Sequence, residues 1–367
     1  MSVSLHACTH NDRRAVEWKL AGNIPHPGKG VAGPVAGIHN NMLLVAGGSN
    51  FPDSMPWLGG KKRYYSDGSV FRKEQQDSLV YDTSFHLPFN LAYAACCSTP
   101  AGIVAAGGEN ETGPGNKVLL ITWNKPGNAG ITYLPDLPFP VTNAAITCSN
   151  NKVYLAGGES GSRVSDNFLV LDLADTAAGW KRLPNLPQPV SHALLIVQFN
   201  GADNCIYLVG GRKRKADGIS DLYAHTFEFN LIKEQWSQKK SLPYALSAGT
   251  GVAAGNHSIV LFGGDKGETF HQAETIIAAI QAEKDTIRKQ QLLAERAALQ
   301  ASHPGFSKEI LLYNTREDNW TIIGSMPFDT PVTTTAIQDG NEIFIPAGEI
   351  KAGVRTPRIL SAKIHLR

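Results

Sequence analysis

Apolar and polar positions fall into blocks along this chain, and one block recurs. The stretch Leu43-Leu44-Val45-Ala46-Gly47-Gly48 returns as Ile103-Val104-Ala105-Ala106-Gly107-Gly108, Val153-Tyr154-Leu155-Ala156-Gly157-Gly158, Ile206-Tyr207-Leu208-Val209-Gly210-Gly211 and Ile259-Val260-Leu261-Phe262-Gly263-Gly264. An altered copy closes the series, Ile343-Phe344-Ile345-Pro346-Ala347-Gly348. Short apolar runs rich in β-branched and aromatic residues predict buried strands. The glycine pair predicts a turn and close approach of a neighbouring strand. Before each run comes a strand of small and apolar residues and a turn such as Asn40-Asn41 or Asn150-Asn151, where Asn tolerates positive φ. After it come a loop, a third strand (Leu79 to Tyr81, Val118 to Thr122, Phe168 to Leu171, Thr226 to Phe229, Ile310 to Tyr313) and an outer strand marked by Trp180, Trp236 or Trp320.

The first members of the pairs are spaced by 60, 50, 53 and 53 residues, and Ala347 follows after 84. A period near fifty with β content predicts a propeller of kelch type, one four-stranded blade per repeat. Glu17-Trp18-Lys19-Leu20 reads as an outer strand with no earlier strands before it, whereas Val332 to Ile337, Glu342 to Ile345 and Ile359 to Ile364 lack a fourth after them. Joining the two ends closes the ring and removes the open sheet edges. The expectation is an all-β, six-bladed propeller over residues 15–367, preceded by a tail over 1–14. The long interval holds a helical insertion, 268–303, in which Ile276, Ile277, Ile280, Ile287, Leu292, Leu293 and Leu299 share one face of a helix or helical pair that ends at His303-Pro304-Gly305.

Composition narrows the function classes. A net charge of +2 with 18% charged residues leaves no strong field for nucleic acid or anionic membrane, and Arg212-Lys213-Arg214-Lys215 reads as a solvated loop. The five cysteines, Cys8, Cys96, Cys97, Cys148 and Cys205, have no metal-ligand spacing; the last four sit in strand-like contexts as small hydrophobes. No apolar run reaches the length of a membrane span. Leu5-His6-Ala7-Cys8 resembles a lipobox, but Met1 to Ser4 is too short for the apolar part of a signal peptide. Two readings follow: a truncated or misassigned start of a periplasmic or outer-membrane protein with a lipid anchor at Cys8, or a chance match in the tail of a cytoplasmic one.

Strands that alternate in direction put every loop after a glycine run on one face of the disc. That face gathers the residues directly after the glycines: Ser49, Glu109, Glu159, Arg212, Asp265 and Glu349. The first such loop is long, from Ser49 to about Asp77, and the insertion lies in the fifth; together they predict a wall or lid. Sideways packing or a homodimer through the insertion is the plainer alternative. The sixth repeat breaks the pattern, with Glu349 and Arg355 six positions apart. A Glu can take and return protons, while the Arg fork matches a carboxylate. A structural salt bridge is the bland reading of the same two residues.

Pro346 to Thr356 resembles the Asn-Gly-Glu-x-x-x-Gly-x-Arg-Thr signature of the bacterial N-acetylneuraminate epimerases, the sialic acid mutarotases, which are six-bladed kelch propellers. Gly30 to Gly48 and Tyr93 to Glu109 are similar to segments of that family, and the resemblance covers most of the chain. The position of the signature near the C-terminus, with Asn50 to Asp53 and Gly59 to Lys62, resembles a cyclically permuted branch. Pro346-Ala347 departs from the Asn-Gly of the signature. The resemblance implies interconversion of the α and β anomers of N-acetylneuraminic acid, with Glu349 as acid/base, Arg355 gripping the carboxylate, and no metal or other cofactor. Asn50, Lys62, Arg63, Glu109, Glu159, Arg163 and Arg212 are candidates for the rest of the pocket on ring position. A kelch module that only binds protein would present a flat apolar patch instead, and a mutarotase for another acidic sugar would share the same residues. A copper radical oxidase would need a Cys-linked Tyr and two His, and no such set is apparent.

Overall fold

Each recurring apolar run forms the second strand of a four-stranded antiparallel sheet, and six such sheets make the ring. The computed structural model describes residues 15–74, 78–124 and 127–365; the tail 1–14, with Cys8, lies outside them. Blades 1 to 6 begin with Val35–His39, Ala95–Thr99, Ala145–Ser149, Leu194–Phe199, Thr250–Ala254 and Ile337–Asp339. Their second strands are Met42–Ala46, Gly102–Ala106, Lys152–Ala156, Asn204–Val209, Ser258–Phe262 and Glu342–Pro346. These strands are covered on both faces by the adjoining blades, which is why they read as continuous apolar runs rather than alternating ones. The core is accordingly a series of clusters at blade junctions, such as Val260 and Phe262 of blade 5 against Ile343 and Ile345 of blade 6.

The chain ends meet as expected. Val16–Asn23 is the outer strand of blade 6, antiparallel to Arg358–Ile364, with Trp18 opposite Ala362. Two expectations are corrected. The third strand of blade 1 is Asp67–Lys73, and Leu79–His86 is its outer strand. The polar start Asp67-Gly68-Ser69 hides the buried Val70 and Phe71 from a pattern search. The loop after the first glycine pair therefore ends near residue 66. In blade 6, Val332 makes only an isolated bridge to Glu349, and the first strand is Ile337–Asp339.

The glycine pairs join blade to blade. The second glycine donates its N–H to a carbonyl of the next blade's approach segment: Gly48 to Leu91, Gly108 to Val141, Gly158 to Val190, Gly211 to Leu246 and Gly348 to Val31, all at 2.8 Å. The first lies in the left-handed region, with φ of 64° at Gly157, where an added Cβ would overlap the Val190 carbonyl. In the sixth repeat Ala347 holds φ 58° without glycine's freedom.

Gly157→Ala and Gly161→Ala provide a paired test, because Gly161 is also left-handed (φ 60°) but has open space around its Cβ position. Gly161→Ala should lose about 1–2 kcal/mol by urea unfolding. Gly157→Ala should lose a further ~1–3 kcal/mol from overlap. Equal losses would contradict the blade-joining role.

Candidate active site

A closed circle of backbone hydrogen bonds forms the floor of the loop face. The residue after each bridge residue turns left-handed: Gly33 (φ 65°), Tyr93 (55°), Asn143 (54°), His192 (55°), Ala248 (57°) and Thr333 (51°). Each donates its N–H to the carbonyl of the one in the neighbouring blade: Tyr93 to Gly33 at 2.8 Å, Asn143 to Tyr93 at 3.1 Å, His192 to Asn143 at 3.0 Å, Ala248 to His192 at 2.9 Å, Thr333 to Ala248 at 3.4 Å, and Gly33 to Thr333 at 2.7 Å. Below the circle is a central channel of about 380 Å³ whose lining includes Cys97 and Cys148. Above it is a cavity of about 440 Å³.

The post-glycine residues occupy equivalent places, and five of the six, all but the buried Ser49, line this cavity. Ser49, Glu109, Glu159, Arg212, Asp265 and Glu349 each bridge to the residue just before a circle member, from Ala32 through Val332. In five blades the post-glycine residue opens a short two-stranded ribbon. Blade 5 has instead the helical pair α1 (Glu268–Ala282) and α2 (Thr286–Ala301).

The ribbon of blade 6 explains the six-residue spacing. Glu349–Lys351 pairs with Val354–Arg355 so that Glu349 and Arg355 are cross-strand partners. Gly353 makes the turn at φ 71° beneath Pro56 and Trp57. The equivalent partners elsewhere are Tyr64, Pro114, Val164 and Leu222, so only this ribbon brings a guanidinium to its post-glycine carboxylate. Arg355 Nη1 lies 2.7 Å from Glu349 Oε1, with side-chain exposures of 5% and 20%. Nη1 pairs with Glu349 but, like Nε, makes no aligned hydrogen bond, while the Tyr93 phenol is a further partner of the guanidinium. Glu349 Oε1 also accepts from the Gly353 N–H at 2.7 Å, and the Arg355 guanidinium lies 5.1 Å from the Phe51 ring centre.

The other carboxylates have different partners. Glu109 accepts from Lys62 Nζ at 3.0 Å and from the Tyr64 hydroxyl at 2.7 Å. Burial opposes the Lys62 charge, but Tyr93 and Glu109 outweigh it and hold its proton above the ordinary lysine value. Burial and the bond to Glu109 push the Tyr64 phenol up to about 12. Glu159 accepts from Asn143 Nδ2 at 3.0 Å and from the Ser191 hydroxyl at 3.2 Å. Arg212 donates to His192 Nε2 at 3.3 Å and lies 4.7 Å from the Phe270 ring centre. An arginine can only donate, so His192 carries its proton on Nδ1, which donates to Ser191 Oγ at 3.1 Å. Burial first, then the Arg212 charge, lowers His192 well below the ordinary imidazole value; Glu159, 3.9 Å away, does not offset them.

The insertion walls the cavity. Thr269, Phe270 and Ala273 of α1 and Arg296 and Gln300 of α2 line it, with His303 and Phe306 beyond. Glu274 fixes α1 to the blade 4 ribbon by accepting from the N–H and hydroxyl of Ser220, both at 2.8 Å. Ile287, expected on the apolar face, is 73% exposed because α2 turns that side to solvent.

Of the residues expected in the site, Glu349, Arg355, Lys62, Glu109, Glu159 and Arg212 line the cavity, and Asn50, Arg63 and Arg163 do not. Arg163 pairs with Ser160, one ribbon position after the cavity-lining Glu159, as the period-2 alternation of a strand requires. Asn50 pairs with Arg63 in the blade 1 ribbon, whose preceding Ser49–Tyr64 position also lies outside the lining. Asn50 is buried between the Gly30 carbonyl and the Tyr65 hydroxyl, and Arg63 lies over the Tyr65 ring. Tyr93, Asn143, His192, Phe270, Arg296 and His303 line the cavity without having been anticipated. A signal for three of them was available in Leu91-Ala92-Tyr93, Val141-Thr142-Asn143 and Val190-Ser191-His192, an apolar-small-X triplet repeated at blade period.

A family model described as N-acetylneuraminate epimerase matches residues 134–366. The chain belongs to that family. The matched stretch carries Glu159, His192, Arg212, Asp265, Glu349 and Arg355, while Lys62, Tyr93 and Glu109 precede it. Among family members with that name, the protein of Salmonella paratyphi B is 25% identical over 234 residues, 63% of this chain and 58% of the relative. That of Brucella melitensis is 24% identical over 252 residues, 68% of this chain and 63% of the relative. The chain thus spans about three fifths of the length of these relatives.

A depressed imidazole has a sign that can be checked. Above the ordinary value of 6.5 both folded and unfolded His192 are neutral. As the pH falls below it the unfolded chain takes up a proton that the folded one refuses, so stability drops. Between pH 7.5 and 5.5 the wild type should lose more thermal stability than His192→Asn, a variant whose side chain tolerates the left-handed backbone. Identical pH slopes would contradict the buried neutral imidazole.

Proposed function

We propose that this protein accelerates interconversion of the α and β anomers of N-acetylneuraminic acid. The observation that carries the reading is the Glu349–Arg355 pair, a carboxylate and a guanidinium side by side on the wall of a cavity of about 440 Å³, with Arg355 Nε free of an aligned acceptor. That volume lies in the range of small-molecule sites. A charged concave site also favours a small acidic ligand over the flat apolar patch of a protein-binding module. The name of the relatives supports the choice of sugar, and the same geometry would suit another acid with a carboxylate on its anomeric carbon.

In this account the substrate carboxylate takes the open edge of the Arg355 fork, which fixes the anomeric carbon next to Glu349. Glu349 removes the proton of the anomeric hydroxyl as the ring bond breaks and the ring oxygen is protonated. The open-chain keto acid turns about the bond beside its carbonyl and closes on the other face, and Glu349 returns the proton. Phe270 and Trp57 provide apolar surface, and the floor residues Asn143 and Thr333 provide polar groups for the remaining hydroxyls. A blade order rotated relative to the relatives belongs to the same proposal, since a closed ring keeps each blade's neighbours wherever the termini fall.

The test follows the α anomer by proton NMR after a retaining sialidase has released it. Wild type should speed its decay over buffer. Glu349→Gln should remove about 10²–10⁴-fold of the catalysed rate. Arg355→Lys, which loses the planar fork, should raise KM by about 10–100-fold, corresponding to ~1.5–3 kcal/mol of charged hydrogen bonding. Decay at the buffer rate with wild type would overturn the proposal.

A further inference from the structure

Four carboxylates stand at the post-glycine places around the cavity, and three have strong partners. Glu109 has Lys62 and Tyr64, Glu159 has Asn143 and Ser191, and Glu349 has Arg355. Asp265 is different: among the described residues no side chain pairs with its carboxyl. The one hydrogen bond to its carboxyl among the described residues is from the Gly267 N–H to Oδ1, at 2.8 Å. Gly267 caps α1, so this bond fixes the carboxyl at the foot of the insertion, where Asp265 lines the cavity. Asp265 sits on blade 5, next to Glu349 on blade 6, at the same height of the ring. A partly buried carboxyl without a cation retains its proton more readily than one paired with a guanidinium.

We propose that Asp265 is the general acid that protonates the ring oxygen while Glu349 acts as base on the anomeric hydroxyl. The assignment rests on the mutarotase reading above. Both reacting oxygens are bonded to the anomeric carbon, so two groups on adjacent blades can address them together. In the opening step Glu349 takes the proton of the anomeric hydroxyl, and the O–H electron pair forms the carbonyl. The bond from the anomeric carbon to the ring oxygen breaks, and that oxygen takes the proton of Asp265. In the closing step the hydroxyl formed from the ring oxygen attacks the other face of the carbonyl and returns its proton to Asp265. Glu349 gives its proton to the new anomeric oxygen, so both residues end as they began.

The surroundings of Asp265 agree with this division. Burial raises its proton affinity and Glu349 adds to the rise, while the Gly267 N–H, His303 and Arg212 pull the other way without cancelling it. His303 accepts from the Gly305 N–H through Nδ1 at 3.0 Å, so its neutral form carries the proton on Nε2. Burial lowers its basicity against the pull of Asp265 and Glu349, which keeps it from acting as a strong counter-cation.

Asp265→Asn tests the assignment, since the amide oxygen can still accept from Gly267. With N-acetylneuraminic acid, the variant should lose at least about 10²-fold of the catalysed rate with KM changed less than threefold. The wild-type rate should fall at high pH as the acid ionises, that fall should disappear in Asp265→Asn, and Asp265→Glu should recover part of the rate. A folded Asp265→Asn with the wild-type rate and pH profile would overturn the role of Asp265 alone. A poorly folded Asp265→Asn shifts the decision to the high-pH limb of Asp265→Glu, which must move with the new carboxyl; an unmoved limb overturns the role. An inert wild type would overturn the mutarotase reading and this assignment together.

Discussion

The circle of six backbone hydrogen bonds at the centre of the loop face is the constraint on which the rest depends. Five of its members are not glycine yet hold φ between 51° and 57°, a conformation that costs of order 1–3 kcal/mol per residue. Such strain persists only where the surroundings over-determine it. Here each N–H is fixed by the neighbouring blade's carbonyl, and the preceding residue by its bridge to the post-glycine position. A circle of glycines would carry less strain but no side chains. Tyr93, Asn143, His192 and Thr333 instead put a phenol, an amide, an imidazole and a hydroxyl on the cavity floor.

The same construction sets the chemistry of the rim. Near-sixfold repetition places one post-glycine residue per blade at one height, so charge is distributed by which partner each blade supplies. Lys62 reaches Glu109 from the long blade 1 loop, Arg355 reaches Glu349 across its own ribbon, and the helices replace a ribbon in blade 5. That replacement leaves Asp265 with the backbone of Gly267 in place of a cross-strand side chain. Burial there raises the proton affinity of Asp265, and proton transfer in two directions requires one carboxyl that holds its proton. The blade 6 loop is held by contact of Gly353 with Pro56 and Trp57, so the charged pair does not rest on one ribbon alone.

The parts legible in the sequence were those governed by burial on both faces. Continuous apolar runs ending in glycine located the second strand of every blade, and a lone outer strand beginning at Val16 could belong only to an incomplete blade at the other end. Ring position likewise singled out Glu109, Glu159, Arg212 and Glu349. What the sequence hid was orientation within two-residue strands. Arg163 is one residue out of phase with the cavity, and Asn50 and Arg63 are held on Gly30 and Tyr65 instead; a ribbon of two residues has no pattern from which to read this. The left-handed backbone at Tyr93, His192 and Thr333 was equally hidden, because none of these residue types announces positive φ. Asp67–Lys73 was missed because its first three residues are polar or small, although the strand is buried at Val70 and Phe71.

A crystal structure of the full chain with N-acetylneuraminic acid bears most directly on the central claim, that the charged cavity holds the sugar by its carboxylate with the anomeric carbon against Glu349. The account predicts the carboxylate on the open edge of Arg355, the anomeric hydroxyl within hydrogen-bond distance of Glu349, and the ring oxygen facing Asp265. A sugar bound elsewhere, or in the cavity with its carboxylate away from Arg355, would contradict it.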